Sequence, residues 1–156
     1  MTLQREAKPL AAIGLADWQW VLNYRGDQLI QTELIPMASI ALPPLAPPWA
    51  EWTHRVLHGE PTGDIVLTPA TGTAFQQRVW QAIQGIPRGQ TLTYGALARQ
   101  LGSHPRAVGQ ALKRNPLPLV WPCHRVVGSH GQLGGYLGDS GSALKAGLLR
   151  WEGALS

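Results

Sequence analysis

Residues 94–116, YGALARQLGSHPRAVGQALKRNP, decide how the chain reads, because two short helical patterns follow one another across a tight polar turn. In the first, Tyr94 to Leu101, Leu97 and Leu101 recur at helical spacing and face inward. Gly102, Ser103 and His104 interrupt the pattern. Pro105 then opens a second helix, since proline at a first helical position has φ already set and lacks only an N–H that would find no partner there. That helix runs to Arg114 and is ended by Asn115 and Pro116. This is helix-turn-helix spacing, although an ordinary helical hairpin inside a core has the same spacing, and periodicity leaves both open.

The content of the second helix adds a distinction. Val108 and Leu112 face inward, leaving Ala107, Gly109, Gln110 and Ala111 as a small-residue surface flanked by Arg106, Lys113 and Arg114. Glycine in a helix interior costs about 1 kcal/mol relative to alanine. Something therefore approaches the backbone closely at Gly109, either a nucleic-acid groove or a neighbouring helix. Charge favours the groove. The net charge of +4 says little, but between Asp64 and Asp139 there is no acidic residue, whereas Arg78, Arg88, Arg99, Arg106, Lys113, Arg114 and Arg125 all fall there. Such one-sidedness is the footprint of a surface that meets phosphates. No basic amphipathic helix with a large apolar face is present, which argues against a membrane surface.

Downstream lies NPLPLVWPCHRVVG, residues 115–128. Leu117 to Trp121 reads as a buried extended segment that Pro122 stops, fixing the direction of the next residue. That residue is Cys123, the only cysteine of the chain. A thiol beside His124 and Arg125 has neighbours that favour thiolate, the nucleophilic form; the alternative is a small buried hydrophobe. A histidine base needs an orienting group, and the only acids after the cysteine are Asp139 and Glu152. Glu152 ends an apolar helix whose Leu144, Leu148 and Leu149 point inward, where it is either a surface residue or a buried partner.

Upstream, the pattern from Thr73 is helical, with Phe75, Val79, Ala82, Ile83 and Ile86 on one face and Pro87-Arg88-Gly89 as the stop. Before it, Trp18 to Tyr24 and Gln28 to Ile35 read as a hairpin turning at Arg25-Gly26-Asp27. A stiff connector runs from Pro36 to Pro48, a short helix from Glu51 to His58 is ended by Gly59, and a third strand, Ile65 to Leu67, returns to the hairpin. At 156 residues and 44% hydrophobic content the chain can bury a core. One cysteine excludes an internal disulfide and a multi-cysteine metal cage, which suits a reducing cytoplasm. The N-terminus lacks the pattern of a signal peptide, and the apolar stretch from Ile40 to Trp49 is broken by Pro43, Pro44, Pro47 and Pro48. A soluble cytoplasmic protein is expected.

Taken together, PCHRV (Pro122 to Val126), RAVGQALKRNP (Arg106 to Pro116), GGYLG (Gly134 to Gly138), LLRWEG and the upstream TAFQQRVWQAIQGIPRGQTLTYGALARQLG resemble the O6-alkylguanine-DNA alkyltransferases, also called methylated-DNA-protein-cysteine methyltransferases. The likeness extends from Thr73 to Gly153. It implies an α+β fold: a small N-terminal αβ lobe with a short antiparallel sheet and Pro-rich connector (1–70), then a mainly helical, winged-helix-like C-terminal domain bearing the helix-turn-helix (71–156). It implies direct repair of DNA, with Cys123 as an alkyl acceptor consumed in one transfer. His124 matches the residue that takes the thiol proton through a water, Glu152 the carboxylate that orients it, and Asn115 an asparagine that braces the turn before the cysteine. Tyr94 corresponds to a tyrosine reaching guanine N3. Arg106 corresponds to the finger that fills the gap left by a flipped nucleotide, with Ala107, Gly109, Gln110, Ala111, Lys113, Arg114 and Arg125 along the DNA. Pro118, Val126, Tyr136, Leu137 and Gly138 would line the alkylguanine pocket, and Lys145 falls on a lysine the family tends to carry. The implied partner is double-stranded DNA containing O6-alkylguanine, met by a monomer with no cofactor and no metal.

Trp121 replaces a smaller aliphatic residue of the family, and Leu137 stands where many relatives have serine or arginine. Some relatives hold zinc in the N-terminal lobe through cysteine and histidine; no cysteine precedes Cys123, so that site is not expected. His54 and His58 share a helix face but lack a third ligand in view. Three other readings compete. Lesion-binding relatives without activity replace the cysteine, a winged-helix transcription factor would carry base-reading side chains on its second helix, and a redox-sensing thiol would not need the acid-free basic stretch.

Overall fold

A computed structural model describes residues 2–63, 66–67, 71–136 and 142–155. The chain divides into two compact units, residues 1–70 and 71–156. In the first, strands β1 (Gln4–Leu10), β2 (Leu15–Arg25) and β3 (Gln28–Pro36) pair antiparallel, and the short β4 (Val66–Leu67) adds parallel to β3. The hairpin forms where the sequence places it. Gly26, with φ of 57°, allows the tight reversal between β2 and β3. β1 is not apparent in the sequence, and β4 is parallel rather than part of a wholly antiparallel sheet. Ile65, read as the start of that strand, lies outside the described residues.

Helix α1 (Pro47–His58) begins four residues before its expected start at Glu51. Pro47 and Pro48 occupy its first turn, where their missing N–H groups cost nothing, so the end of the Pro-rich stretch is helix rather than connector. Gly59, with φ of 68°, ends α1 as expected. Trp49 and Trp52 of α1 meet Trp20 and Tyr24 of β2 in an aromatic cluster with ring centroids 5.0–6.2 Å apart.

The second unit holds helices α2 (Ala74–Ile83), α3 (Tyr94–Leu101), α4 (Pro105–Lys113) and α5 (Ser142–Trp151), with a two-stranded parallel pair, β5 (Leu92–Thr93) and β6 (Val126–Val127). Thr73 and Gln76 close a reciprocal capping box at the start of α2. The helix ends at Ile83, before Pro87. Thr93 caps α3 by accepting from the Ala96 N–H, and Gly102 ends it in the left-handed conformation. Val79, Trp80 and Ile83 of α2, Leu97 and Ala98 of α3, and Val108, Ala111 and Leu112 of α4 are buried, so the helix-turn-helix packs through apolar stripes. No helix among the described residues is long and apolar enough to cross a membrane.

Leu117 to Trp121 is not extended. It folds into a tight loop in which the Trp121 N–H donates to the Leu117 carbonyl at 2.8 Å and Leu119 takes a φ of 74°. Pro116, Pro118 and Pro122 remove donors that a strand would need. Asn115 supplies the closure instead: its Nδ2 donates to the Trp121 carbonyl at 2.8 Å and its Oδ1 accepts from the Leu117 N–H at 2.9 Å.

Candidate active site and nucleic-acid face

The loop braced by Asn115 delivers the chain into a 3-10 turn, Cys123–Arg125, whose Cys123 and His124 are buried. The same turn leads into β6, which pairs with β5 just ahead of α3. The backbone thus ties the cysteine to the first helix of the helix-turn-helix. Burial pushes the Cys123 thiol up, against the lowering influences of Asn115, Lys145, its own backbone and Tyr136. At rest the residue is a thiol, so the expectation that His124 and Arg125 would hold it as thiolate fails. Desolvation outweighs its charged surroundings, and Arg125 is directed elsewhere.

His124 Nε2 lies 2.9 Å from Glu152 Oε1. Glu152 is largely buried beside its fully buried partner, with side-chain exposures of 9% and 1% for Glu152 and His124. Of the two positions open to Glu152 in the sequence, the structure takes the buried one. Burial alone would raise the Glu152 carboxyl, but hydrogen bonds from His124 and Arg125 and their charges bring it down to about 2. Burial likewise lowers His124, more than the carboxylate raises it. The neutral imidazole facing an ionised carboxylate must carry its proton on Nε2, because the carboxylate can only accept. Nδ1 is then a bare lone pair, and it is buried without a hydrogen-bond partner.

Arg125 is not a phosphate ligand in this arrangement. Its Nε and Nη2 donate to the two Glu152 oxygens at 3.0 and 2.7 Å, and Nη1 donates to the Ile86 carbonyl at 2.8 Å. Placing it on the DNA face is corrected, since its guanidinium is spent on internal acceptors.

Lys145, fully buried on α5, donates to the Val126 carbonyl at 2.6 Å, the Gly135 carbonyl at 3.1 Å and Tyr94 Oη at 3.3 Å. Burial lowers it to about 8. The carbonyl of Val126, a residue expected to line the alkylguanine pocket, thus already accepts a bond from Lys145. Tyr94 Oη is also 3.4 Å from the Gly135 carbonyl, to which it donates. Gly134 sits against the same ring: with φ of 76°, a Cβ there would fall 2.8 Å from Tyr94 Oη and Cε2. Tyr136 is buried edge-on to His124, with centroids 6.3 Å apart, and its hydroxyl has no well-formed hydrogen bond. Burial first, then the nearby Cys123, hold that hydroxyl well above the usual tyrosine range. Pro118 is buried in the loop before the cysteine. Leu137 and Gly138 lie outside the described residues.

On α4, Arg106, Gln110 and Lys113 are exposed, as is Arg114 just beyond, while Ala107 and Gly109 are half-buried. A Cβ built on Gly109 meets nothing within 4 Å, so no neighbouring helix demands that glycine. Ala111 is only 2% exposed and belongs to the core stripe with Val108 and Leu112, so its place on the exposed surface is corrected. His104, Arg106, Ala107 and Gln110 line an open groove of about 430 Å³. The basic residues of the acid-free stretch separate into two sets. Arg78 and Arg88 donate to the carbonyls of Leu101 and Trp151 at helix ends, and Arg125 holds Glu152.

One contribution has no signal in the sequence. Trp80 donates from Nε1 to the Ala111 carbonyl at 2.9 Å and stacks on Trp121, with centroids 5.8 Å apart, which gives the unusual Trp121 a packing partner. Lys145, which the family resemblance singles out, is in the residue pattern itself a cation inside the stripe formed by Leu144, Leu148 and Leu149, and its place beside Tyr94 comes from the fold. Among the described residues no group of three His, Cys, Asp or Glu is placed to hold a metal.

An αβ unit followed by a helix-turn-helix unit, in which a buried cysteine adjoins a histidine–carboxylate pair, defines a single-cysteine protein built around a helix-turn-helix. The family model for the DNA-binding domain of 6-O-methylguanine DNA methyltransferase matches residues 74–154, and the chain belongs to that family. Methylated-DNA–protein-cysteine methyltransferase of Methanosarcina acetivorans is 47% identical over 93 residues, covering 58% of each chain. The Salmonella typhimurium protein of the same name is 51% identical over 94 residues, covering 59% of this chain and 54% of that one. These matches span just over half the length of either relative. Solved structures match more broadly. The Mycobacterium tuberculosis OGT in complex with DNA is 34% identical with a TM-score of 0.71, covering 96% of this chain and 92% of that one. The O6-methylguanine-DNA methyltransferase of Pyrococcus kodakaraensis is 28% identical with a TM-score of 0.72, covering 97% and 99%.

Proposed function

We propose that this protein reverses alkylation damage directly, moving the alkyl group from O6 of guanine in double-stranded DNA to Cys123, once per molecule. The observation that carries the reading is the unpartnered Nδ1 of a neutral His124, in the residue after a buried thiol, with Nε2 anchored on an ionised Glu152. A thiol held up by burial needs a base, and His124 is the base at hand. Nδ1 takes the Cys123 proton through a water, and Glu152 stabilises the imidazolium that results. Sγ attacks the alkyl carbon as its bond to O6 breaks, the electron pair passes into the purine, and Tyr94 Oη protonates N3. The Lys145 ammonium beside Oη steadies the charge left there. The product thioether is not cleaved by the imidazole, carboxylate, phenol or amine groups the described residues place around it, so the protein is spent.

A stacked base keeps O6 out of reach of this site, so the nucleotide must leave the helix at a cost of a few kcal/mol. Exposed Arg106 on α4 fills the gap, while Ala107, Gly109 and Gln110 lie along the minor groove, whose degenerate pattern suits a protein that acts in any sequence context. Lys113 and Arg114 meet the backbone. The DNA complex of the M. tuberculosis relative supports this partner. In this reading residues 71–156 form the DNA-binding and alkyl-acceptor domain, residues 1–70 a supporting αβ lobe, and the protein acts as a cytoplasmic monomer.

Incubation with duplex DNA containing O6-methylguanine, followed by intact and peptide mass spectrometry, tests this. The expected result is one methylene gained on the Cys123 peptide, stoichiometric and then exhausted, and none in Cys123→Ser. An unmodified peptide at saturating lesion DNA overturns the transfer, and modification surviving in Cys123→Ser overturns the site.

A further inference from the structure

The 3-10 turn that carries Cys123 and His124 ends in a cation bonded to internal acceptors. Arg125 grips both oxygens of Glu152 and reaches the carbonyl of Ile86. The Ile86–Gly89 turn in turn meets the end of α5 twice more. Arg88 donates to the Trp151 carbonyl at 3.2 Å, and its guanidinium lies 5.7 Å from the Trp151 ring centroid. A Cβ on Gly89 would fall 3.2 Å from the Glu152 carbonyl oxygen, at a φ of 87° that already favours glycine. Glu152 therefore does not hang from a frayed helix end. It is held between the turn that bears the nucleophile and a second turn that bears neither nucleophile nor base.

From this geometry we infer that Arg125 is a positioning residue for the transfer reaction, fixing Glu152 so that one carboxylate oxygen always faces His124 Nε2. The inference rests on the function proposed above. Because Arg125 occupies Oε2 and shares Oε1, the carboxylate cannot rotate to give His124 a poorer angle, and it cannot take up a proton without losing a charge-assisted bond. His124 then keeps its proton on Nε2 and its lone pair on Nδ1. Among the described residues, the groups facing this pair are Arg125 and Cys123 from the 3-10 turn, Lys145 from α5 and Tyr136 from the segment before α5. The cations Arg125 and Lys145 lower His124, and Glu152 is the anion that raises it.

The sign of the effect follows. Without Arg125, burial of Glu152 is opposed by His124 alone, so its carboxyl rises. His124 also loses a cation that had held it down. Both changes move the acid limb of the rate profile to higher pH. A charge retained without the bidentate fork gives a smaller movement.

The test is the single-turnover methyl-transfer rate from pH 5 to 9 for wild type, Arg125→Met and Arg125→Lys. Affinity for O6-methylguanine duplex is measured alongside, and the His124 ring is titrated by NMR in the free protein. The acid limb is expected at higher pH in Arg125→Met, with a rate loss of tenfold or more below pH 7 that narrows above pH 8. The shift in Arg125→Lys is intermediate, lesion affinity changes less than threefold, and the His124 titration moves in the same direction. A rate loss uniform across pH, or a loss confined to affinity, overturns the inference and returns Arg125 to structure or to phosphate. If Arg125→Met does not fold, an Arg125→Lys profile superimposable on wild type overturns it equally. Absence of transfer in wild type would defeat the proposed function instead, while the NMR titration would still report whether Arg125 sets the state of His124.

Discussion

The exposed face of α4 and the buried turn at Cys123 use the same residue types to opposite ends. On α4, Arg106 and Lys113 reach into solvent, and neither makes a hydrogen bond or ion pair among the described residues. Thirteen residues further along from the end of the groove, around Cys123–Arg125, the side chains are tied to one another and to the backbone: Arg125 to Glu152 and Ile86, His124 through Nε2 to Glu152, and Asn115 to the loop before the turn, with His124 Nδ1 left without a partner. Screened, unpaired charges on the first surface act nearly independently, whereas buried ones act as a unit. Substitutions on α4 should therefore change affinity and leave the fold alone. Substitutions around the turn should strike stability and chemistry together.

The largest effect in the folded protein is expected at Glu152. Glu152→Gln keeps the shape but leaves Arg125 as a part-buried cation without an anion, a loss expected below the about 3–5 kcal/mol that removing one partner of a fully buried pair costs. Urea unfolding at pH 7 reads that loss directly. The pH dependence supplies a signature of the charge itself. Glu152 is held down to about 2, below an unfolded value of roughly 4.3. Its stabilisation is thus complete above about pH 5 and is lost as pH falls through 4 towards 2. In Glu152→Gln that part of the acid-side loss should vanish. A variant as stable as wild type at pH 7, with the same acid limb, would break the contrast drawn here.

Gly134 sharpens the contrast, because it supports the site without bearing any chemistry. Gly134→Ala must adopt a φ of 76° and place a Cβ 2.8 Å from the Tyr94 ring and hydroxyl. The left-handed strain and the displaced ring together should cost about 1–3 kcal/mol. Thermal melts read the stability. The transfer rate should fall more than lesion affinity does, since Tyr94 and its Lys145 contact shift while α4 does not. Equal losses in rate and affinity would mean that the two regions are not separable.

How much of this was legible differs between the same regions. The α3–α4 pair was readable to within a residue, because its stops are local: Gly102, Pro105 and the Asn115-Pro116 pair. Ala111 was misplaced because alanine carries no preference for either face, and only the packing of Val108 and Leu112 beside it decides. β1 left little trace, since QREAKPL mixes charges with a proline and becomes a strand by pairing with β2. The loop before Cys123 reads as extended in the sequence because its shape is set by the Asn115 side chain rather than by the pattern of its own residues. Arg125 looked like one more cation in a basic stretch, for its partner lies 27 residues away in sequence. The cysteine, histidine and glutamate were nameable from motif, but the burial that makes a thiol of one and an anion of another belongs to the folded chain.

The smallest effect is the most discriminating, and it concerns Gly109. In the free protein a Cβ at this position meets nothing within 4 Å, and the backbone is already helical. Gly109→Ala should therefore stabilise the isolated protein, by about 0.5–1 kcal/mol, through the ordinary gain in helix propensity. If α4 lies with its backbone close to the floor of a groove, the added methyl should weaken binding of O6-methylguanine duplex, while the dependence of affinity on salt stays as it was because Arg106, Lys113 and Arg114 are untouched. Stability and affinity would then move in opposite directions from one methyl group, an outcome that neither a damaged fold nor a lost phosphate contact can produce. Unchanged affinity together with higher stability would show that α4 meets DNA through its long side chains alone, and that the glycine is not required by close approach.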